Sequence, residues 1–282
     1  MEAEVEFAPS YPAALRQAKN RAGRSGFVAS LPQLLAARVK SPSFENEIWQ
    51  SMFTALSDES AVTAPSTDGG NGTRKVLVVT VHGGGIFSSA SRIEEAFLMD
   101  TTSMTGHYAA QLSDGEVERL INGSLPDGSA VPMYSYEQFK AMTTPPTTNG
   151  SDTSSASEYV TESELPGRYG VITDGALAMK SPRGYTALET MRHDPMFIVH
   201  AGGVEAAGKY IDKLKERGQD TLGSWPPFSE VQNLAHPQEA RILSLDADGG
   251  VAAGNGVVWY GRYIAVAPQP AGTSLRPLNY RL

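Results

Sequence analysis

Lys75–Ile86 reads KVLVVTVHGGGI, and this stretch decides the expected fold. The unbroken run Val76–Val81 is apolar and β-branched, which fits a strand buried on both faces rather than one with a solvent side. The run stops at His82 and three glycines follow, so the chain leaves the strand through a turn open to close backbone approach. Ser91-Arg-Ile-Glu94 has capping-box spacing and predicts a helix starting near Ser91. A strand end, a Gly-rich turn and a helix N-terminus together expose backbone N–H groups that can hold an anion.

Met196–Val204 (MFIVHAGGV) repeats the pattern, and a fainter echo follows each copy, Gly128–Phe139 and Gly223–Gln232. Read as duplicated βα units, the two segments predict an α+β fold of ferredoxin-like units, pseudo-duplicated in the manner of an α/β barrel. His82 and His200 would then lie along one sheet edge, each able to move a proton near neutral pH. Gly83, Gly84 and Gly85 beside one, and Gly202 and Gly203 beside the other, would offer N–H groups to a developing anion. Asp174, after an expected strand Tyr169–Thr173, is placed to orient a histidine. Arg92, Arg183 and Arg192 are candidate anchors for an acidic substrate.

Outward from this centre, helical spacing at Tyr11–Arg21, Leu31–Val39 and Phe44–Leu56 predicts an N-terminal helical appendage over residues 1–56. Residues 57–74 and 143–163 are rich in Ser, Thr, Gly and Pro, and read as a flexible linker and a low-complexity insertion. An α+β domain is expected over 75–267, with an extended tail at 268–282. Within it, helices are expected at Ser113–Ile121, with Asp114 and Glu116 in the first turn, at Tyr136–Met142 and at Val204–Lys215. Strands are expected at Arg241–Leu245 and Val257–Val266, with hairpin signals at Asp246–Gly250 and Asn255-Gly256.

The 282 residues carry a net charge of −8 and no basic run, which argues against nucleic acid as a partner. Without cysteine, thiolate nucleophiles, Cys-ligated zinc and disulfides are excluded. No secretion or transit signal is visible at the N-terminus, and no apolar run is long enough to span a bilayer. A cytoplasmic protein without a membrane partner is expected, and a homo-oligomer stays open.

The HGGG of residues 82–85 resembles the oxyanion-hole loop of hormone-sensitive-lipase-like esterases. Those enzymes also need a Gly-x-Ser-x-Gly elbow, and the chain has none. Gly83–Ser88 approximates a dinucleotide fingerprint without the strand–helix alternation that should follow it, and no phosphate-binding P-loop occurs. Separately, His107, Leu112, Gly123, Leu125, Asp127 and Gly128, with Asp194-Pro195 later, resemble the YCII-related domains. That resemblance implies a ferredoxin-like fold and an acid/base pair of His107 with Asp127 or Asp194.

The sequence thus leads to a cofactor-independent small-molecule enzyme, a hydrolase, lyase or isomerase, with His82, His200, Asp174 and His107 as catalytic candidates. The alternative is a non-catalytic binding or interaction protein, and a third reading is a metal-dependent enzyme with His and carboxylate ligands. Convergence separates them: an enzyme gathers its His, Asp and Arg in one pocket, and a scaffold scatters them.

Overall fold

The structure, a computed structural model, describes residues 2–8, 11–65, 74–89, 91, 92, 94, 109–146, 159–225, 238–253 and 261–267. The chain opens with β1 (Glu2–Ala8), α1 (Tyr11–Ala22), β2 (Phe27–Val28), α2 (Leu31–Lys40), the single turn α3 (Glu47–Gln50) and the long strand β3 (Phe53–Pro65). β4 (Arg74–His82), β5 (Ala109–Gln111), α4 (Asp114–Ile121), β6 (Met133–Ser135), α5 (Tyr136–Thr143) and β7 (Tyr169–Asp174) follow. Next come α6 (Gly175–Ala178), β8 (Gly184–Ala187), α7 (Leu188–Arg192), α8 (Pro195–Ala201) and α9 (Val204–Glu216). β9 (Thr221–Trp225), β10 (Glu239–Leu245), β11 (Val251–Ala253) and β12 (Gly261–Ala267) close the series.

The large sheet has the order β6-β7-β4-β3-β10-β11-β9-β8, with β5 on the part of β10 that β11 leaves free. Only β6/β7 and β11/β9 are parallel; the other neighbours are antiparallel. A smaller antiparallel sheet, β1-β12-β2, joins the first strand to the last described one, from Glu2↔Ala267 to Ala8↔Gly261. The fold is therefore mixed α+β, as expected. The ferredoxin-like and barrel-like arrangement does not emerge: the centre is the antiparallel hairpin β3/β4, and β6 and β8 end the sheet on opposite sides without pairing.

The supposed duplication fails because its second strand is a helix. Asp194 accepts the Phe197 N–H at 2.8 Å as N-cap of α8, and Pro195 takes the first turn, where its missing N–H costs nothing. Met196–Ala201 are all buried, so α8 shows no amphipathic rhythm and reads like a buried strand.

The N-terminal segment is likewise no separate helical appendage. Its strands β1 and β2 build the small sheet, and the helix expected over Phe44–Leu56 shrinks to α3 before the chain enters β3. Nor is Ser57–Pro65 a linker. It completes β3, paired from Ser57↔His82 to Pro65↔Arg74 with β4 and on its other side with β10. The expected elements with strong local signals are present. β4 is central, Ser113 and Glu116 form the capping box of α4, and Asp246–Gly250 turns β10 into β11. The Asn255-Gly256 signal lies outside the described residues.

Two large apolar cores flank the sheet, and a third, smaller cluster lies beside them. Leu77, Val79 and Val81 of β4 join Leu56 and Val62 of β3, with Ala14, Leu15 and Ala18 of α1 and Val117 and Leu120 of α4. On the other face, Phe53, Ala55 and Val171 pack with Leu34 and Leu35 of α2, Phe197–Val199 of α8 and Tyr210, Ile211 and Leu214 of α9. Alternate side chains of a strand point to opposite faces, so β3 feeds both cores, while β4 turns Val78 to the small third cluster with Ala61, Ala178 and Met196.

Candidate functional site

Between those cores the second face carries polar residues. Ser57 and Glu59 of β3 lie opposite His82 and Thr80 of β4, all four buried, and α8 closes over them. The Leu31 N–H donates to Ser57 Oγ at 2.9 Å, and the Ser57 hydroxyl donates to His82 Nδ1 at 2.9 Å. His82 Nε2 donates to the Val199 carbonyl at 3.0 Å, which assigns the proton to that nitrogen. Burial, reinforced by His200, pushes the His82 imidazole down to about 3, so the ring is neutral at neutral pH. His200 Nε2 lies 2.6 Å from Glu59 Oε2, the oxygen that also accepts from Thr80 Oγ1 at 3.3 Å. His82 is 0% and His200 2% exposed, so both rings lie in the interior.

The N–H groups just after the Gly-rich loop hold a carboxyl group, and it is the protein's own. The Phe87 N–H donates to Asp58 Oδ2 at 2.9 Å, with the Ile86 N–H also turned to this carboxyl. Gly85 sits so close that a Cβ would stand 2.2 Å from Asp58 Oδ1. Burial pushes Asp58 up to about 7, against the pull of those N–H groups. The Gly83 N–H donates to the Leu56 carbonyl at 2.9 Å. Gly202 and Gly203 end α8 instead: their N–H groups donate to Val199 (3.1 Å) and Ile198 (2.9 Å), in the manner of a left-handed C-cap.

The remaining candidates scatter. Asp174 caps α6 by accepting the Ala176 N–H at 2.8 Å. Arg92 pairs with Glu116 at 2.9 Å and donates to the Gln111 carbonyl at 2.8 Å. Arg192 lies against Asp212, Glu189 and the Gly208 carbonyl, and Arg183 is exposed just before β8. Asp194 is the N-cap of α8. His107 lies outside the described residues. The structure therefore brings together the two histidines, inside the protein, but not with the aspartate or the arginines. Among the described residues no group of three or more His, Asp or Glu could hold a metal ion, and no helix is long and apolar enough to cross a membrane.

What the fold does build is a groove of about 860 Å³ between α1, α2 and the segment 162–169. Val28, Leu56, Gly83 and Tyr169 contribute to it beside the apolar walls of Ala22, Pro32, Ala36, Leu165 and Pro166. Two polar clusters interrupt those walls. In one, Arg168 Nη2 donates to Asp127 Oδ2 (2.9 Å) and the Gly84 carbonyl (3.1 Å), while the Lys19 ammonium donates to the Ser88 carbonyl. Burial and the neighbouring Arg168 lower the Lys19 pKa, and Asp127 opposes them. In the other, burial raises the Glu162 carboxyl against the pull of Lys40 and Lys209. Of the residues singled out from sequence, only Gly83 and Asp127 line this groove. Lys19, Lys40, Glu162 and Arg168 were missed because they are ordinary surface types in sequence, brought together only by the fold.

No protein-family model and no curated protein matches the chain. Among solved structures it is similar to one described as "Accommodation of massive sequence variation in Nanoarchaeota by the C-type lectin fold", at 19% identity and a TM-score of 0.62. The match covers 94% of this chain and 97% of that one, so the likeness extends over the whole fold. The chain has the overall fold of a C-type lectin.

Proposed function

We propose that this protein is a binding protein rather than an enzyme, and that the groove between α1, α2 and segment 162–169 takes a small organic ligand. The groove carries the reading. It has the size and the mixture of apolar walls with a few placed polar groups that small-molecule sites share. The chemistry-bearing residues support it from the other side: the histidines are hydrogen-bonded in the interior, and the arginines pair at separate surfaces. The similar structure, described as a C-type lectin fold accommodating massive sequence variation, is in keeping with a scaffold whose framework holds while its surface changes.

The test uses Ala36, a groove-lining residue of α2. Ala36→Trp would fill much of the space. Thermal shifts would be recorded for the wild type and this variant against a panel of aromatic and aliphatic acids, alcohols and amines. Compounds that stabilise the wild type and not the variant support the reading. Equal shifts in both proteins, or chemical turnover of a bound compound, would overturn it.

A further inference from the structure

We infer that the groove selects ligands bearing a carboxylate or phosphate group, which docks at the cluster of Lys19, Ser88 and Arg168. This rests on the groove being the binding site. Three observations place the anion there.

The first is charge. Among the described residues, Lys19 and Arg168 face a single close carboxylate, Asp127, which Arg168 Nη2 already holds at 2.9 Å. Asp58 is the next acidic neighbour of Arg168, and its burial leaves it largely protonated below neutral pH. The corner therefore carries an uncompensated positive charge on a partly desolvated wall, where a charge-assisted hydrogen bond is stronger than in open water.

The second is unused hydrogen-bonding capacity. Ser88 is 3% exposed and lines the groove, and its Oγ has no partner among the described residues. Arg168 Nε is likewise buried without a partner among the described residues. A buried donor left unmet costs free energy, and an anion's oxygen would meet it.

The third is the backbone beside them. Gly84 has φ +108°, and a Cβ there would stand 3.1 Å from Ser88 Cβ, 3.6 Å from Arg168 Nη2 and 3.7 Å from Leu56 Cδ2, so a side chain at this position would press on Ser88 and Arg168. Val28, Leu56 and Leu165 would hold the apolar body of the ligand.

The probes are 2-naphthoate and its uncharged counterpart 2-naphthamide, titrated calorimetrically at pH 6. The wild type should bind the carboxylate about tenfold more tightly than the amide, the size of one charge-assisted hydrogen bond. Lys19→Gln, on the exposed side of α1, should bring the two affinities within about twofold of each other. Lys40→Gln, in the other cluster, should keep the tenfold preference. Equal affinities in the wild type, or a preference that survives Lys19→Gln, would overturn the inference. Amide binding without that preference would leave the groove reading standing, whereas binding of neither probe would remove both.

Discussion

Replacing Asp58 by Asn tests whether the Gly-rich loop holds a buried carboxyl. Asn keeps an oxygen for the Phe87 N–H, at 2.9 Å in the native protein, and removes the charge. Burial raises Asp58 from 3.8 to about 7. An acid whose folded pKa is raised holds a proton in the native state that the unfolded chain has lost. Stability is therefore greatest below pH 3.8 and falls as pH rises through about 7. Each pKa unit is worth about 1.4 kcal/mol, so the full penalty is on the order of 4 kcal/mol, of which about 3 kcal/mol accrues between pH 4.5 and 8.5. His82 works in the opposite direction: its pKa, lowered from 6.5 to about 3, withdraws stability as pH falls through that window. The wild-type profile alone would hide both, and the difference between variant and wild type isolates Asp58. Denaturant unfolding at half-unit steps from pH 4.5 to 8.5 gives that difference. Asp58→Asn should gain about 3 kcal/mol on the wild type across the range, whatever constant cost its unpartnered amide N–H adds. A difference that does not change with pH would refute the buried carboxyl.

Two further perturbations probe the interior. Glu59→Leu strands His200, whose Nε2 lies 2.6 Å from the carboxylate, and should cost about 3–5 kcal/mol in chemical denaturation; Glu59→Leu with His200→Leu should recover most of it. Additive losses in that cycle would show that the two side chains are not coupled. Gly203→Ala should cost at least about 2 kcal/mol: φ is 126°, and the new Cβ would stand 2.6 Å from Thr143 Cβ. A melting temperature unchanged by this substitution would mean that the α8–α9 turn relaxes freely.

Local signals in the sequence were strong where the structure agrees with them. Val76–Val81 forms the buried part of β4, Ser113 and Glu116 cap α4, and the apolar stripe of Val204–Lys215 is the packed face of α9. The misreadings have a common cause in burial that composition does not announce. Ser57-Asp-Glu-Ser60 has the composition of a loop, yet Ser57, Asp58 and Glu59 face partners supplied by distant strands and helices. Met196–Val199 is apolar on every side because α8 is enclosed, although Asp194-Pro195 before it was a legible helix start. The pairing of β1 with β12 joins opposite parts of the chain and leaves no local mark at all. The groove was illegible for the same reason, since Lys19, Gly83, Asp127 and Arg168 come from four separated segments. The His-Gly-Gly-Gly reading gave anion-binding N–H groups to Gly83–Gly85, whereas those that meet the Asp58 carboxyl belong to Ile86 and Phe87.

The buried polar face has a consequence for how the sheet is specified. Ser57 opposes His82 and Glu59 opposes Thr80, so each register pair is also a side-chain hydrogen bond, at 2.9 and 3.3 Å. Intervening residues place Asp58 on the other face, under the loop N–H groups. A slip of β3 by one residue would exchange the faces, turning Asp58 toward α8 and leaving His82, His200 and the Phe87 N–H without their partners. Every one of those groups is buried, so the slipped sheet would carry several unmet polar groups at about 1–3 kcal/mol each. An all-apolar β3 would lose far less by slipping. The polar residues that look like catalytic machinery in sequence thus discriminate between registers, a structural use that accords with the proposal of a ligand site in the groove rather than at the histidines.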